Sequence, residues 1–162
     1  MRNVALVALA GLVVVSACGG DGARETPAQT GAATASDTVA TDHIAYLPPT
    51  GTIHEVKMVG DGRGYRYQPD TISAKPGDGI KFVMVSGGPH NVVFDPATIA
   101  ADQRAQLFAN MKHPLEPGTS FMMMNPNEVI ELSLANIKPG RYPFFCSPHL
   151  AMSMRGLIIV TE

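Results

Sequence analysis

The chain has 162 residues, 12 Lys and Arg against 14 Asp and Glu, and a net charge of −2, which suits one compact domain and gives no electrostatic case for nucleic acid. Sixteen Gly, 13 Pro and no Trp point to many turns and short strands rather than long helices. There are only two cysteines, Cys18 and Cys146.

Met1-Arg2-Asn3 carries one basic residue, Val4 to Val15 is apolar, and Ser16-Ala17-Cys18 follows. A basic start, a short apolar run and small residues before a cleavage point describe an export signal, and the run is short for a bilayer span. Val15-Ser16-Ala17-Cys18 also resembles a bacterial lipobox. That resemblance implies a signal peptide over 1–17, acylation of Cys18, and an exported lipoprotein on the periplasmic or cell-surface side of a membrane. Cys146 is then the sole free thiol of an exported chain, which calls for a use other than an intramolecular disulfide. Residues 18–50 are rich in Gly, Ala, Thr, Ser and Asp, with few large apolar side chains, and are expected to form a flexible tether. His43 falls in it as a solvated side chain.

The domain is expected over 51–162. Ile53–Val59 reads as a strand, Asp61–Gly64 as a turn, and Tyr65–Pro69 and Thr71–Ala74 as two short strand pieces. Lys75–Gly79 turns into a strand over Ile80–Val85, and His90–Phe94 runs extended after the Gly87-Gly88-Pro89 bend. Asp95-Pro96 has the form of a helix start, so a helix is expected from Ala97 to about Met111. Turns follow near Pro114 and Pro117-Gly118. Ser120–Met124, Glu128–Leu134, Arg141–Cys146 and Gly156–Thr161 complete the strands, and Pro143 demands an edge position or a bulge. Seven or eight short strands at this spacing give an all-β, Greek-key antiparallel β-sandwich with one short inserted helix.

Phe144-Phe145-Cys146-Ser147-Pro148-His149-Leu150-Ala151-Met152-Ser153-Met154 holds a thiol, an imidazole and two thioethers. Thiolate sulfur, imidazole nitrogen and a weak thioether are a ligand set for copper cycling between Cu(I) and Cu(II). A second imidazole stands upstream in Gly87-Gly88-Pro89-His90-Asn91-Val92-Val93-Phe94-Asp95. The two stretches resemble the copper loops of the cupredoxins, the blue copper proteins, and most closely the plastocyanin and pseudoazurin group. The resemblance covers about Ile53 to Val160, specific at the two loops and loose between them. It implies one copper held by His90, Cys146, His149 and Met154, with Asn91 bonding across to the other copper loop. Met152 has the spacing of the axial ligand in shorter-loop cupredoxins; Met154, which precedes Arg155-Gly156, is the choice here.

Taken singly, His90, Cys146 and the two methionines have ordinary readings as packed or solvated side chains; jointly, the two motifs favour a metal site. The resemblance implies a monomeric one-electron carrier rather than an enzyme. It would dock transiently with redox partner proteins near His149, among Pro89, Pro148, Leu150 and Met152, and attach to the membrane through lipid on Cys18. A cell-surface copper chaperone or store is the alternative. A binuclear oxidase centre needs a further Cys in the loop, and position 150 is Leu. Phe121-Met122-Met123-Met124 reads as packing, and His54 and His113 as structural or solvent-facing.

Overall fold

In the computed structural model the described residues are 44–162. The expected signal peptide, Cys18, His43 and most of the tether lie outside them. The chain is bonded to the domain already from Ala45. Gln106 Nε2 donates to the Ala45 carbonyl (3.3 Å), Leu47 N–H to Asn110 Oδ1 (3.1 Å), and Thr50 and Gly51 N–H to the Gly77 carbonyl (2.8 and 2.9 Å). These backbone groups of residues 45–51 thus find partners on the domain surface.

Nine strands, one α-helix and one 3-10 turn are formed among the described residues: β1 Ile53–Asp61, β2 Gly64–Gln68, β3 Thr71–Ala74, β4 Gly79–Met84, α1 Ala101–Ala109, β5 Pro114–Glu116, β6 Thr119–Ser120, β7 Val129–Ser133, β8 Gly140–Phe145, the 3-10 turn Leu150–Met152 and β9 Arg155–Val160. One sheet has the order β2-β1-β4-β7 and the other β3-β9-β8, with β5 and β6 a separate short ribbon. The sheets are mixed rather than purely antiparallel. β1 runs parallel to β4 and β3 parallel to β9, while β1–β2, β4–β7 and β8–β9 are antiparallel.

Strand alternation builds the core. Val56 and Met58 of β1, Ile80, Phe82 and Met84 of β4, Ile130 and Leu132 of β7, and Tyr142, Phe144, Ile158 and Val160 of β8 and β9 are all buried. Tyr67, Phe82 and Phe144 meet edge to face between the sheets, at centroid separations of 4.7–6.1 Å. Burying one such ring contributes about 2 kcal/mol. Pro143 lies on β8, the outer strand of its sheet, where its missing N–H interrupts no ladder with a further strand.

Three local expectations change. The helix begins at Ala101, not Ala97. Asp95 caps a separate turn, with its Oδ1 accepting from Ala97 N–H (2.8 Å) and its carbonyl from Thr98 N–H (2.9 Å), and Ala100 is extended (φ −53°, ψ 133°). Pro114–Glu116 is a short strand rather than a turn. Of Ser120–Met124 only Ser120 lies in a strand, because its hydroxyl accepts from Val92 N–H (2.9 Å) in place of a backbone carbonyl; Met123 meets His90 as an isolated bridge.

Candidate metal centre

β4 ends at Met84, and the chain then folds tightly against β1. Val85 N–H donates to the Met58 carbonyl and Gly60 N–H to the Ser86 carbonyl (2.9 and 2.8 Å). Gly87 sits at φ +75°, and a Cβ there would collide with the Gly60 backbone, so glycine is required for this approach. The bend delivers His90, whose backbone pairs with Met123 in both directions (3.0 and 2.8 Å). Three residues on, Val93 and Phe145 exchange two backbone hydrogen bonds (2.9 and 3.0 Å). That bridge brings the His90 segment beside the strand running into Cys146, 56 residues later.

Around this bridge the side chains lock. Asn91 Nδ2 donates to Ser147 Oγ and Asn91 Oδ1 accepts from Ser147 N–H, both at 2.8 Å. Tyr67 Oη donates to the Asn91 carbonyl (2.7 Å), tying the segment to the aromatic core. The Cys146–Met154 loop closes on itself. Cys146 N–H donates to the Met154 carbonyl (3.1 Å), Met154 N–H to the His149 carbonyl (3.2 Å), and Ser153 takes a left-handed conformation (φ 65°) after the 3-10 turn.

Three donors converge here. Cys146 Sγ lies 3.7 Å from His90 Nδ1 and 3.5 Å from His149 Nδ1, and all three atoms lie within 4.8 Å of one another. The Ser86 carbonyl accepts from His90 Nε2 at 2.9 Å; a carbonyl only accepts, so the neutral ring carries its proton there and presents the Nδ1 lone pair. His90 and Cys146 are 0 % exposed and His149 6 %. Burial pushes both histidines below their ordinary range, with Ser86 partly opposing this at His90 and His90 adding to it at His149, and burial pushes the Cys146 thiol up. The imidazoles are therefore in the neutral, ligating form, and only the thiol must lose a proton to bind a metal.

This donor set fits a single soft or borderline ion. Donors each about 2.0–2.3 Å from one ion lie about 3.5 Å apart in a trigonal arrangement, close to the two separations found. Two buried imidazole nitrogens and one buried sulfur aimed at a single point form an N,N,S donor set of the kind copper takes.

The sequence profile of the copper-binding proteins of the plastocyanin/azurin family matches residues 54–161. The chain belongs to this family. It is 33% identical over 117 residues to plastocyanin of Prochlorothrix hollandica, covering 72% of this chain and 79% of that one. Plastocyanin of Synechococcus sp. (strain JA-2-3B'a(2-13)) is 32% identical, with 72% and 81% covered. The oxidized plastocyanin structure from the fern Dryopteris crassirhizoma superimposes with a TM-score of 0.52 at 28% identity, over 67% of this chain and all of that one. Copper is thus the cofactor for which this plastocyanin/azurin-family domain is built, and its His-Cys-His group has room for one ion.

Of the residues singled out by sequence, His90, Cys146 and His149 come together and Asn91 spans the two loops. Met154 is 0 % exposed, whereas Met152 is 53 % exposed. His54 is structural, bonded to Asp78 (2.9 Å), and His113 is exposed. Sequence reasoning missed Tyr65. Its ring stacks on His149 at a centroid distance of 3.7 Å and an angle of 11°, so the imidazole expected at the surface lies under an aromatic cover. The signal was present in Tyr65-Arg66-Tyr67, where both tyrosines share one face of β2. Ser86 and Ser147 were missed as well: Ser86 acts through a backbone carbonyl that every residue has, and the Ser147 hydroxyl and N–H gain their partner only when the two loops meet.

Proposed function

We propose that this protein is a mononuclear blue copper protein that carries single electrons between exported or membrane-bound redox proteins, with copper held by His90, Cys146, His149 and Met154. The observation that carries the reading is the convergence of two imidazole Nδ1 atoms on one buried cysteine sulfur. Copper bound there would supply a one-electron Cu(I)/Cu(II) couple, and the two histidines, the cysteine thiolate and the weak Met154 thioether would hold it. The protein's part is to hold the donors still. Ser86 orients His90, the Asn91–Ser147 pair fixes the start of the Cys146 loop, and Tyr65 lies flat on His149. Outer hydrogen bonds of this kind hold ligands in orientation and tune a metal site.

Burial of all three donors favours a carrier over a chaperone or store, since an acceptor site needs access to the ion it takes over. The reading places no chemistry on a substrate, so the protein is a carrier and not an enzyme. Its N-terminal organisation completes the proposal: signal peptide 1–17, a lipid-anchored tether from Cys18, and the copper domain to the C-terminus, held as a monomer at a membrane surface. Transient partners contact the end near His149, where Pro148 and Met152 are exposed and Pro89 and Leu150 half-buried.

The test is the visible absorption spectrum of the Cu(II)-loaded chain and its loss on reduction. An intense thiolate-to-copper band is expected, reversible with redox agents and absent in Cys146→Ser. Its persistence in Cys146→Ser would overturn the ligand assignment, and rapid loss of Cu(I) to a chelating acceptor would turn the reading to a chaperone.

A further inference from the structure

Among the described residues the exposed large apolar side chains fall into two groups. Val85, Met122, Met124 and Met152 belong to the metal end. Val85 precedes the Ser86 that holds His90, Met122 and Met124 flank the Met123 bridge to His90, and Met152 is in the Cys146–Met154 loop. Ile44, Tyr46, Ile53 and Leu115 lie elsewhere. Leu115 is 73 % exposed and stands in β5, whose three residues are all exposed. Ile44 and Leu115 wall a cavity of about 530 Å3 with Phe108, Pro114 and Pro117, and Glu116 is the one charged residue that lines it. Tyr46 and Ile53 line a second cavity, where Lys81 and Lys112 are paired with Glu55 and Glu131. The Leu115 ribbon is set back from the metal. Phe94 N–H donates to the Gly118 carbonyl (2.9 Å), and His90 is four residues away, about 13 Å along an extended chain.

The N-terminal part of the chain leads straight onto this face. Ile44 is itself a wall of the cavity, and the Ala45 carbonyl and Leu47 N–H are bonded to Gln106 and Asn110 at the end of α1. On the anchored reading above, residues 19–43 join lipid on Cys18 to Ile44, a reach of at most about 90 Å. A face at the end of such a tether meets the bilayer at a high effective concentration, so weak apolar contacts suffice. The side chains suit a zwitterionic phospholipid surface. Ile44 and Leu115 offer aliphatic bulk, and Tyr46 has an apolar ring with a polar tip that fits the headgroup level. Glu116 has no basic partner within 4.0 Å among the described residues, which disfavours an anionic surface. We propose that the Ile44–Leu115 face rests on the phospholipid surface and leaves the metal end free for protein partners. This rests on the anchored reading and gives the anchored domain an orientation.

The chain has no Trp, so Leu115→Trp places a single fluorescent reporter on the face. The full-length chain with its membrane anchor is reconstituted into phosphatidylcholine vesicles, with and without bromine on the acyl chains. Emission of Leu115→Trp should shift to the blue and be quenched by the brominated lipid; that of Met152→Trp, at the metal end, should do neither. Adding Ile44→Ser should lower the ratio of quenched to unquenched Leu115→Trp emission about tenfold, the size expected for one buried aliphatic side chain. Both positions are exposed, so these variants leave the core intact. Acylation is read separately, from the mass of the N-terminal peptide. Where Cys18 carries no lipid, a maleimide phospholipid coupled to it supplies the tether, since Cys146 is buried. Failure of the anchor and failure of the face are thereby told apart. Unmoved Leu115→Trp emission in the tethered chain, equal quenching of Met152→Trp, or contact that requires phosphatidylglycerol would overturn the proposal. So would a dimer in solution that Leu115→Ser dissolves, which would assign the face to a second copy of the chain.

Discussion

Where β4 begins, Asp78 accepts three hydrogen bonds: from Thr52 N–H (2.8 Å), from His54 Nε2 (2.9 Å) and from Lys75 N–H (2.9 Å). Beyond the other end of β4, about 17 Å along the strand, His90, Cys146 and His149 turn their donor atoms toward one another. Both ends hold buried polar groups. At the first, the chain supplies every partner, and the result is a structural clasp between the starts of β1 and β4. At the second, the surrounding hydrogen bonds aim two imidazoles and a thiol at one point. Neutral soft and borderline donors aimed at one point mark the place for a metal ion; a carboxylate bonded to two N–H groups and an imidazole marks a joint of the fold.

His90→Ala should separate the two ends most sharply. It removes a donor, so copper affinity measured by competition with a chelator should fall by more than about 100-fold, beyond the effect of losing an outer hydrogen bond. Asp78→Asn should leave copper affinity as it is and lower stability by about 2 kcal/mol in denaturant unfolding, because hydrogen bonds to a charged acceptor are lost. A drop in copper affinity with unchanged stability would break the division.

The same residue gives a pH signature. Burial alone would raise the Asp78 carboxyl; the His54 imidazole and the Lys75 and Thr52 N–H groups outweigh it and hold it below the usual carboxylate range. A folded value below the unfolded one, about 3.9, means the contribution is complete above that pH and is lost as pH falls through the lower folded value. The acid slope of stability below about pH 4 should therefore be shallower in Asp78→Asn than in the unsubstituted chain.

Tyr65 tests how the metal-site end is held. Tyr65→Ala should speed copper dissociation about tenfold, the lower range for losing a group that orients a ligand, whereas Tyr65→Phe, which keeps the stacked ring, should restore the slow rate. Equal rates in all three proteins would reduce Tyr65 to a surface cover. The smallest effect is expected at Met152. Exposed on its loop, it should leave the reduction potential nearly unchanged on Met152→Leu, while Met154→Leu shifts both potential and spectrum. A large shift at Met152 with little at Met154 would reverse the axial assignment.

Much of the candidate site was legible because it is local in sequence. Cys146, His149 and Met154 lie on one loop between two strands, and the flanking residues carry the family motif. Most strands were legible too, since their alternation reports which side chains face inward. The helix start was not. Asp95-Pro96 has the chemistry of a cap, and the same chemistry serves an isolated turn when the backbone at Ala100 is extended. The parallel pairing of β1 with β4 and of β3 with β9 was likewise hidden, because alternation is the same in either direction.

The sequence by itself determined the sandwich class and the family, and brought forward His90, Cys146 and His149 as the candidate donors that converge, each carried by residue type and short motifs. Only the tertiary structure decided that Tyr65 covers His149, that Ser86 sets the His90 tautomer, that Ser147 is the partner of Asn91, and that Ile44 and Leu115 wall one apolar cavity. Each of these depends on which segments the fold sets side by side, and that of Ser86 on a backbone carbonyl that every residue possesses. Register is fixed by the packing of the two sheets together, and no local pattern in the chain encodes it alone.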